Sequence, residues 1–154
     1  MVSPDQLKDI PFFRGISTEV LELLAAGAHE RTFESGVFLL HQHAEASTVY
    51  FLVSGVIQFL IRFEGVDDLL VGTSSEYGAP IGWSVVREPF RYTASARCET
   101  ACRVISIPRD LFDNVIVEHP VAGYEILTRL ALVLADRLEQ ARDMLIASPK
   151  SRPV

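Results

Sequence analysis

Hydrophobic and polar positions divide the chain into three zones, each with its own periodicity. In residues 1–30, apolar residues recur at helical spacing after Ser17, a favourable N-cap, and they predict an amphipathic helix of about three turns. In residues 31–108, short runs of β-branched and aromatic residues alternate with turns such as Ser54-Gly55 and Glu64-Gly65. Short strands at this spacing predict an antiparallel barrel or sandwich.

The third zone, residues 109–147, is predicted to form two helices. His119-Pro120 separates them, because the residue before a proline avoids the helical conformation. The second helix runs to Ala147, ahead of a frayed tail at 148–154. An apolar stripe at spacings of three and four residues follows this long helix: Leu127, Leu130, Leu134, Leu138, Ala141 and Leu145. Heptad-like spacing indicates either packing against the chain's own strands or contact with the same helix of a second copy.

Composition narrows the classes of function. The 154 residues predict one domain, 1–154, and a net charge of −6 gives no overall field that attracts nucleic acid. The sequence has neither a signal peptide at its start nor an apolar run of membrane-spanning length, so a reducing cytoplasm is the expected compartment. Cys98 and Cys102, on one shared strand, would stand roughly 13 Å apart and are predicted to be buried thiols that do not pair.

Three segments, in order along the chain, carry a family resemblance. Residues 34–39 resemble the turn-and-strand opening of a cyclic nucleotide-binding domain, 49–56 its tyrosine-containing strand with a glycine turn, and 81–96 its phosphate-binding cassette. The resemblance covers roughly residues 5–145. It implies an α+β fold, with a jelly-roll-like antiparallel β-barrel flanked by N-terminal helices and a long C-terminal helix. It also implies a regulatory domain that senses a small ligand.

The cassette departs from the family pattern at two positions. The resemblance implies a glutamate that accepts a hydrogen bond from the ribose hydroxyl and an arginine that pairs with the cyclic phosphate; here these positions hold Trp83 and Tyr92. An indole nitrogen only donates, and a tyrosine hydroxyl is no bidentate cation. Arg91 or Arg87 would reach an anion if the local backbone is irregular; otherwise both are surface residues. Trp83 and Tyr92 either pack in the core or rim without a ligand, or line a site for a non-standard nucleotide, another small anion or an apolar molecule. The predicted ligand-binding residues are Gly82, Trp83, Ser84, Val85, Arg91, Tyr92, Thr93 and Ala94.

The predicted function is non-enzymatic ligand sensing at a non-standard or weakened cyclic nucleotide site, with cAMP, cGMP or another small anion as the ligand. No nucleophile is matched with a base, and His41-Gln42-His43 has no evident third metal ligand, so neither catalysis nor a metal is predicted. A homodimer is expected through Leu127, Leu130, Leu134 and Leu138, and a DNA-binding domain is not expected in a chain taken to end at Val154. The alternative is a degenerate domain that acts in dimerisation or binds a protein partner without nucleotide.

Overall fold

Two capped helices open the structure, a computed structural model that describes residues 1–147. Helix α1 (Pro4–Asp9) begins after Ser3, whose hydroxyl accepts from the Gln6 N–H while the Gln6 side chain accepts from the Ser3 N–H. A 3₁₀ turn (Pro11–Phe13) leads to α2 (Thr18–Gly27), which begins after Ser17 as predicted. The Ser17 hydroxyl accepts from the Val20 N–H at 3.4 Å and so satisfies one of the donors that a helix start leaves free.

Eight strands form two four-stranded antiparallel sheets. In chain order they are β1 (His29–Phe33), β2 (Phe38–Leu40), β3 (Thr48–Ser54), β4 (Ile57–Phe63), β5 (Val66–Ser74), β6 (Pro80–Ile81), β7 (Ser95–Cys98) and β8 (Cys102–Pro108). The first sheet has the order β1-β8-β3-β6 and the second β2-β7-β4-β5. No hydrogen-bonded pairing joins the two sheets among residues 1–147. The predicted jelly-roll-like fold is therefore present, as two antiparallel sheets that do not close into a barrel.

Aromatic side chains join the N-terminal helices, the first sheet and the C-terminal helices in one core. Phe51 of β3 is fully buried, and its ring centroid lies 4.8 Å from that of Phe13 and 6.3 Å from that of Phe112. Burial of one phenylalanine side chain contributes about 1.5–3 kcal/mol. These three rings therefore hold the helical ends of the chain against the first sheet.

Helices α3 (Arg109–Glu118) and α4 (Pro120–Ala147) follow the last strand, and they are separated at His119 as predicted. They approach closely at Gly123, where an added Cβ would lie 2.5 Å from the Ile116 carbonyl oxygen. Because no side chain fits at that distance, a glycine at position 123 allows α4 to fold back along α3. The first turns of α4 bury Ile126 and Leu130 in the core.

The later turns of α4 cross the second sheet. There the Gln140 side-chain amide donates to the Thr73 carbonyl of β5 at 3.2 Å. This crossing places one face of α4 over the strands β4 and β5. Within residues 1–147, no helix is both long and apolar enough to cross a membrane. The predicted frayed tail, 148–154, lies outside the described residues.

Candidate functional site

A cavity of about 240 Å³ lies between the second sheet, residues 81–96 (the cassette segment) and helix α4. Six of the eight predicted ligand-binding residues line it: Gly82, Trp83, Ser84, Tyr92, Thr93 and Ala94. The remaining two, Val85 and Arg91, do not. The sequence therefore located the cavity, while the structure changes the role of several of its residues.

Gly82 has a conformation and a neighbourhood that favour glycine. Its φ of +89° lies in the left-handed region and starts the short 3₁₀ turn Trp83–Val86. An added Cβ would lie 3.0 Å from Tyr92 Cε1 and 3.1 Å from the Thr48 carbonyl oxygen. The chain can therefore approach both neighbours closely only because position 82 has no side chain.

The Tyr92 ring lines the cavity, but its hydroxyl is already engaged. Tyr92 is 6% exposed. Its hydroxyl donates to the Thr48 carbonyl at 2.6 Å and accepts from the Thr48 N–H at 3.2 Å. Burial is the largest cause that raises the Tyr92 pKa, to about 12, so the hydroxyl stays neutral at physiological pH. Tyr92 thus ties the cassette segment to the start of β3 and presents only its ring to a ligand.

Arg91 and Val85 do not line the cavity. Arg91 is exposed, and its Nη1 donates to the His43 carbonyl at 3.0 Å on a neighbouring loop, away from the cavity. Val85 is fully buried in the core, and its N–H donates to the Gly82 carbonyl at 3.4 Å. Neither group faces a ligand in the cavity. Arg87 is also exposed, with its guanidinium carbon 5.9 Å from the centre of the Trp83 ring.

Arg137 of α4 is the residue of the site that the sequence analysis missed. It lines the cavity, its guanidinium donates to the Pro80 carbonyl, and its Cζ lies 4.3 Å from the centre of the Phe59 ring. Removal from water lowers the Arg137 pKa to about 10, which still leaves the group charged at neutral pH. The sequence did contain a signal: Arg137 falls seven residues after Leu130, on the apolar stripe of the helix.

Comparison with known proteins identifies the family of this fold and site. A model of the cyclic nucleotide-binding domain matches residues 30–119. The chain belongs to the cyclic nucleotide-binding domain family. This is the family that the three sequence segments indicated, and the match includes the cassette segment with Trp83 and Tyr92 in place of the expected glutamate and arginine.

Individual relatives cover most of this chain and differ in their own length. The chain is 30% identical over 120 residues to the cAMP-activated global transcriptional regulator CRP of Escherichia coli. The match covers 77% of this chain and 55% of CRP. It is 29% identical over 133 residues to Glutaminase 1 of Bradyrhizobium diazoefficiens, covering 86% of this chain and 21% of the glutaminase. The chain therefore spans about half of the CRP sequence and a fifth of the glutaminase sequence.

A solved structure supports the fold. The structure of a putative cyclic nucleotide-binding protein from Geobacter metallireducens matches with a TM-score of 0.78 and 24% identity. The match covers 90% of this chain and 99% of that one. At this level of identity the likeness concerns the fold alone.

The four leucines predicted for a dimer interface have different environments. Leu130 is 2% exposed and packs in the core of its own chain, so it is not available to a second copy. Leu134 and Leu138 line the cavity, although Leu138 is also 72% exposed. Leu127 is 42% exposed and lies outside the cavity lining. The four leucines of the predicted interface therefore lie in three environments: the core, the cavity wall and the surface.

Neither the histidine pair nor the cysteine pair forms a metal site. No three His, Cys, Asp or Glu side chains among residues 1–147 are arranged to hold a metal ion. Cys98 and Cys102 are buried free thiols, as predicted, but the predicted separation on one strand is wrong because residues 99–101 turn the chain between β7 and β8. Burial first, and then the adjacent Cys102, raise the pKa of Cys98 to about 12.

Proposed function

We propose that this chain is a non-enzymatic regulatory domain that senses a small ligand, with a cyclic nucleotide site that is weaker than the family pattern implies. The observation that carries the proposal is the pair of hydrogen bonds between the Tyr92 hydroxyl and Thr48. At the position where the resemblance implies a phosphate-binding arginine, this chain has a neutral group whose hydrogen-bonding capacity is used within the protein. A cytoplasmic location stays a prediction.

The expected weakening follows from the two substituted positions. A hydrogen bond to a charged group contributes about 1.5–3 kcal/mol, and both the ribose acceptor and the phosphate cation are replaced. Loss of both would lower affinity by about two to four powers of ten. Arg91 does not compensate, because its exposed guanidinium donates to the His43 carbonyl and does not line the cavity.

Helix α4 is the proposed output of the domain. Leu134 and Arg137 belong to this helix and line the same cavity as the cassette segment. A ligand that contacts both elements interacts differently with each position of the helix, which is the condition for shifting its equilibrium. The helix would then pass the state of the cavity to a partner.

The test is a titration of the chain with cAMP and with cGMP, followed by calorimetry and by the fluorescence of Trp83, the one tryptophan of the sequence. We expect no saturable binding at micromolar concentration. Because two positions are held responsible, the double variant Trp83→Glu with Tyr92→Arg is expected to gain affinity over the wild type, and calorimetry alone measures this because the variant has no tryptophan. The matched control, Arg91→Gln, alters an outward-facing charge and leaves the titration unchanged. Micromolar binding by the wild-type chain would show that the site is not weakened.

The alternative function, dimerisation or binding of a protein partner, is favoured by apolar side chains that α4 leaves exposed. Leu127 and Leu138 are 42% and 72% exposed, and helical periodicity places them on one face, the outer face of α4. We propose a homodimer through this face, without Leu130. Light scattering of Leu127→Glu and Leu138→Glu should give a monomer, whereas Leu23→Glu, at a residue of α2 that is 41% exposed, should leave the dimer intact. A wild-type monomer at high concentration contradicts the dimer.

A further inference from the structure

The cavity under α4 has a chemical character that differs from a ribose-phosphate site. Its walls are largely apolar, with Phe59, Ile61 and Val71 from the second sheet and Leu134 from α4. Such walls favour the burial of a hydrocarbon group. The ligand that suits these walls has an apolar body.

One cation lies against these walls without a counter-charge. No carboxylate of residues 1–147 lies within ion-pair distance of Arg137. Its one protein hydrogen bond in the same range goes to the Pro80 carbonyl. A guanidinium carries five N–H donors in a planar fork that matches the two oxygens of a carboxylate. Arg137 therefore keeps donors for an anionic group in the cavity, and partial removal from water strengthens that attraction.

A second polar group lines the same cavity. Ser84 is 3% exposed, and its hydroxyl can both donate and accept a hydrogen bond. Thr93 and Gln140 also line the cavity. Arg137 therefore provides the charged donor, beside neutral polar groups, in largely apolar surroundings.

The size of the cavity limits the ligand. An apolar cavity of about 150 Å³ accommodates benzene, and this one is about 240 Å³. The difference leaves room for a short acid side chain on a single ring, or for a branched aliphatic acid of similar bulk. Ordinary ligand pockets begin at about 300 Å³, so the cavity suits a smaller ligand than most.

We propose that the cavity binds a small monocarboxylate with an apolar body, whose carboxylate pairs with Arg137 and whose hydrocarbon part packs against Phe59 and Leu134. This proposal deepens the proposed function, since it rests on the same cavity as the ligand-sensing site. It names the class of ligand that would act there in place of a tightly bound cyclic nucleotide.

The test compares acids with their neutral amides on the wild-type chain. Phenylacetate and 4-methylpentanoate are titrated by calorimetry and by protein NMR shifts, beside phenylacetamide and 4-methylpentanamide. For ligands with so few heavy atoms we expect a Kd of about 1 mM or below for at least one acid. Its amide, which has the same shape and no charge, should bind about ten- to a hundredfold more weakly.

Variants of α4 test whether the charge of Arg137 causes the preference for the acid over the amide. Arg137→Gln should remove the preference for the acid over the amide, and Arg137→Lys should keep part of it, because the charge remains while the fork is lost. Arg142→Gln makes the same change of charge on the same helix at an exposed side chain, and it should leave the preference unaltered. Thermal unfolding of each variant verifies that it is folded.

Three results would overturn the inference: no saturable binding of either acid by about 10 mM, equal binding of acid and amide, or an unchanged preference in Arg137→Gln. The proposed function is judged by different probes, cAMP and cGMP. Tight binding of a cyclic nucleotide refutes the weakened site whatever the acids do. Failure of the acids alone leaves the weakened site standing and removes only the monocarboxylate.

Discussion

Replacement of Tyr92 by phenylalanine isolates the hydrogen bonds that tie the cassette segment to β3. The substitution removes one oxygen atom and keeps the ring that lines the cavity. The Tyr92 hydroxyl donates to the Thr48 carbonyl at 2.6 Å and accepts from the Thr48 N–H at 3.2 Å. Each bond contributes about 0.5–1.5 kcal/mol net, so we expect the free energy of unfolding to fall by about 1–3 kcal/mol.

Urea denaturation measures this loss directly, and a shift of the midpoint with an unchanged slope identifies a change in stability alone. For a chain of this length, each kcal/mol lowers Tm by about 2–4 °C, so the expected decrease is about 2–12 °C. Tyr124→Phe is the matched control, because the same atom is removed from a residue that is 70% exposed. It should change the free energy of unfolding by less than about 0.5 kcal/mol.

A loss below about 0.5 kcal/mol in Tyr92→Phe would refute the reasoning, since it would mean that the two hydrogen bonds do not hold the native structure. The Tyr92 hydroxyl would then be free to bond a ligand. A second readout separates the cases: because the hydroxyl is engaged by Thr48, Tyr92→Phe should leave the affinity for a cavity ligand nearly unchanged.

Two further predictions concern the same region and the buried thiols. Gly82→Ala should lower the free energy of unfolding in urea more than Gly36→Ala does. Both glycines have φ near +90° (+89° and +87°), but of the two only Gly82 has atoms within 4 Å of an added Cβ. Equal losses would mean that close packing at Gly82 contributes nothing. The folded pKa of Cys98 is raised from 9.0 to about 12, so its stabilisation is fully present below pH 9 and is lost as pH rises towards 12. Cys98→Ala should therefore flatten the decline of stability between pH 9 and 12, and a decline as steep as that of the wild type would contradict the raised pKa.

The regular parts of the fold were predictable because local patterns determine them. The alternation in Thr48–Ser54 and Ile57–Phe63 and the proline after His119 mark elements whose boundaries depend on nearby residues. Strand β1 was not predicted, since His29–Phe33 is polar and mostly exposed, and it gains its conformation by pairing with the distant β8. The spacing of the strands allowed a barrel or a sandwich, and the choice of two separate sheets follows from pairings that no local pattern encodes.

The site residues also depend on contacts between distant parts of the chain, which the sequence pattern does not reveal. Residues 92–96 lie in the zone predicted to form strands, yet β7 starts at Ser95, because Tyr92 is held by the backbone of the loop at His43 and Ala44. The direction of Arg91 depends on the His43 carbonyl, which is 48 residues away in sequence. The position of Arg137 on the apolar stripe could be read from the sequence. That it lines the cavity could not, because this depends on α4 crossing the second sheet.

Leu138 lies at the rim of the cavity and is nevertheless 72% exposed, so one turn of α4 belongs to two surfaces at once. This sharing has a thermodynamic consequence. If a molecule in the cavity changes the affinity of the outer face of α4 for a partner by some factor, the partner changes the affinity of the cavity by the same factor. The ligand affinity measured on the isolated chain would then differ from that of the chain in its complex, and the ratio of the two would equal the strength of the signal that the domain transmits.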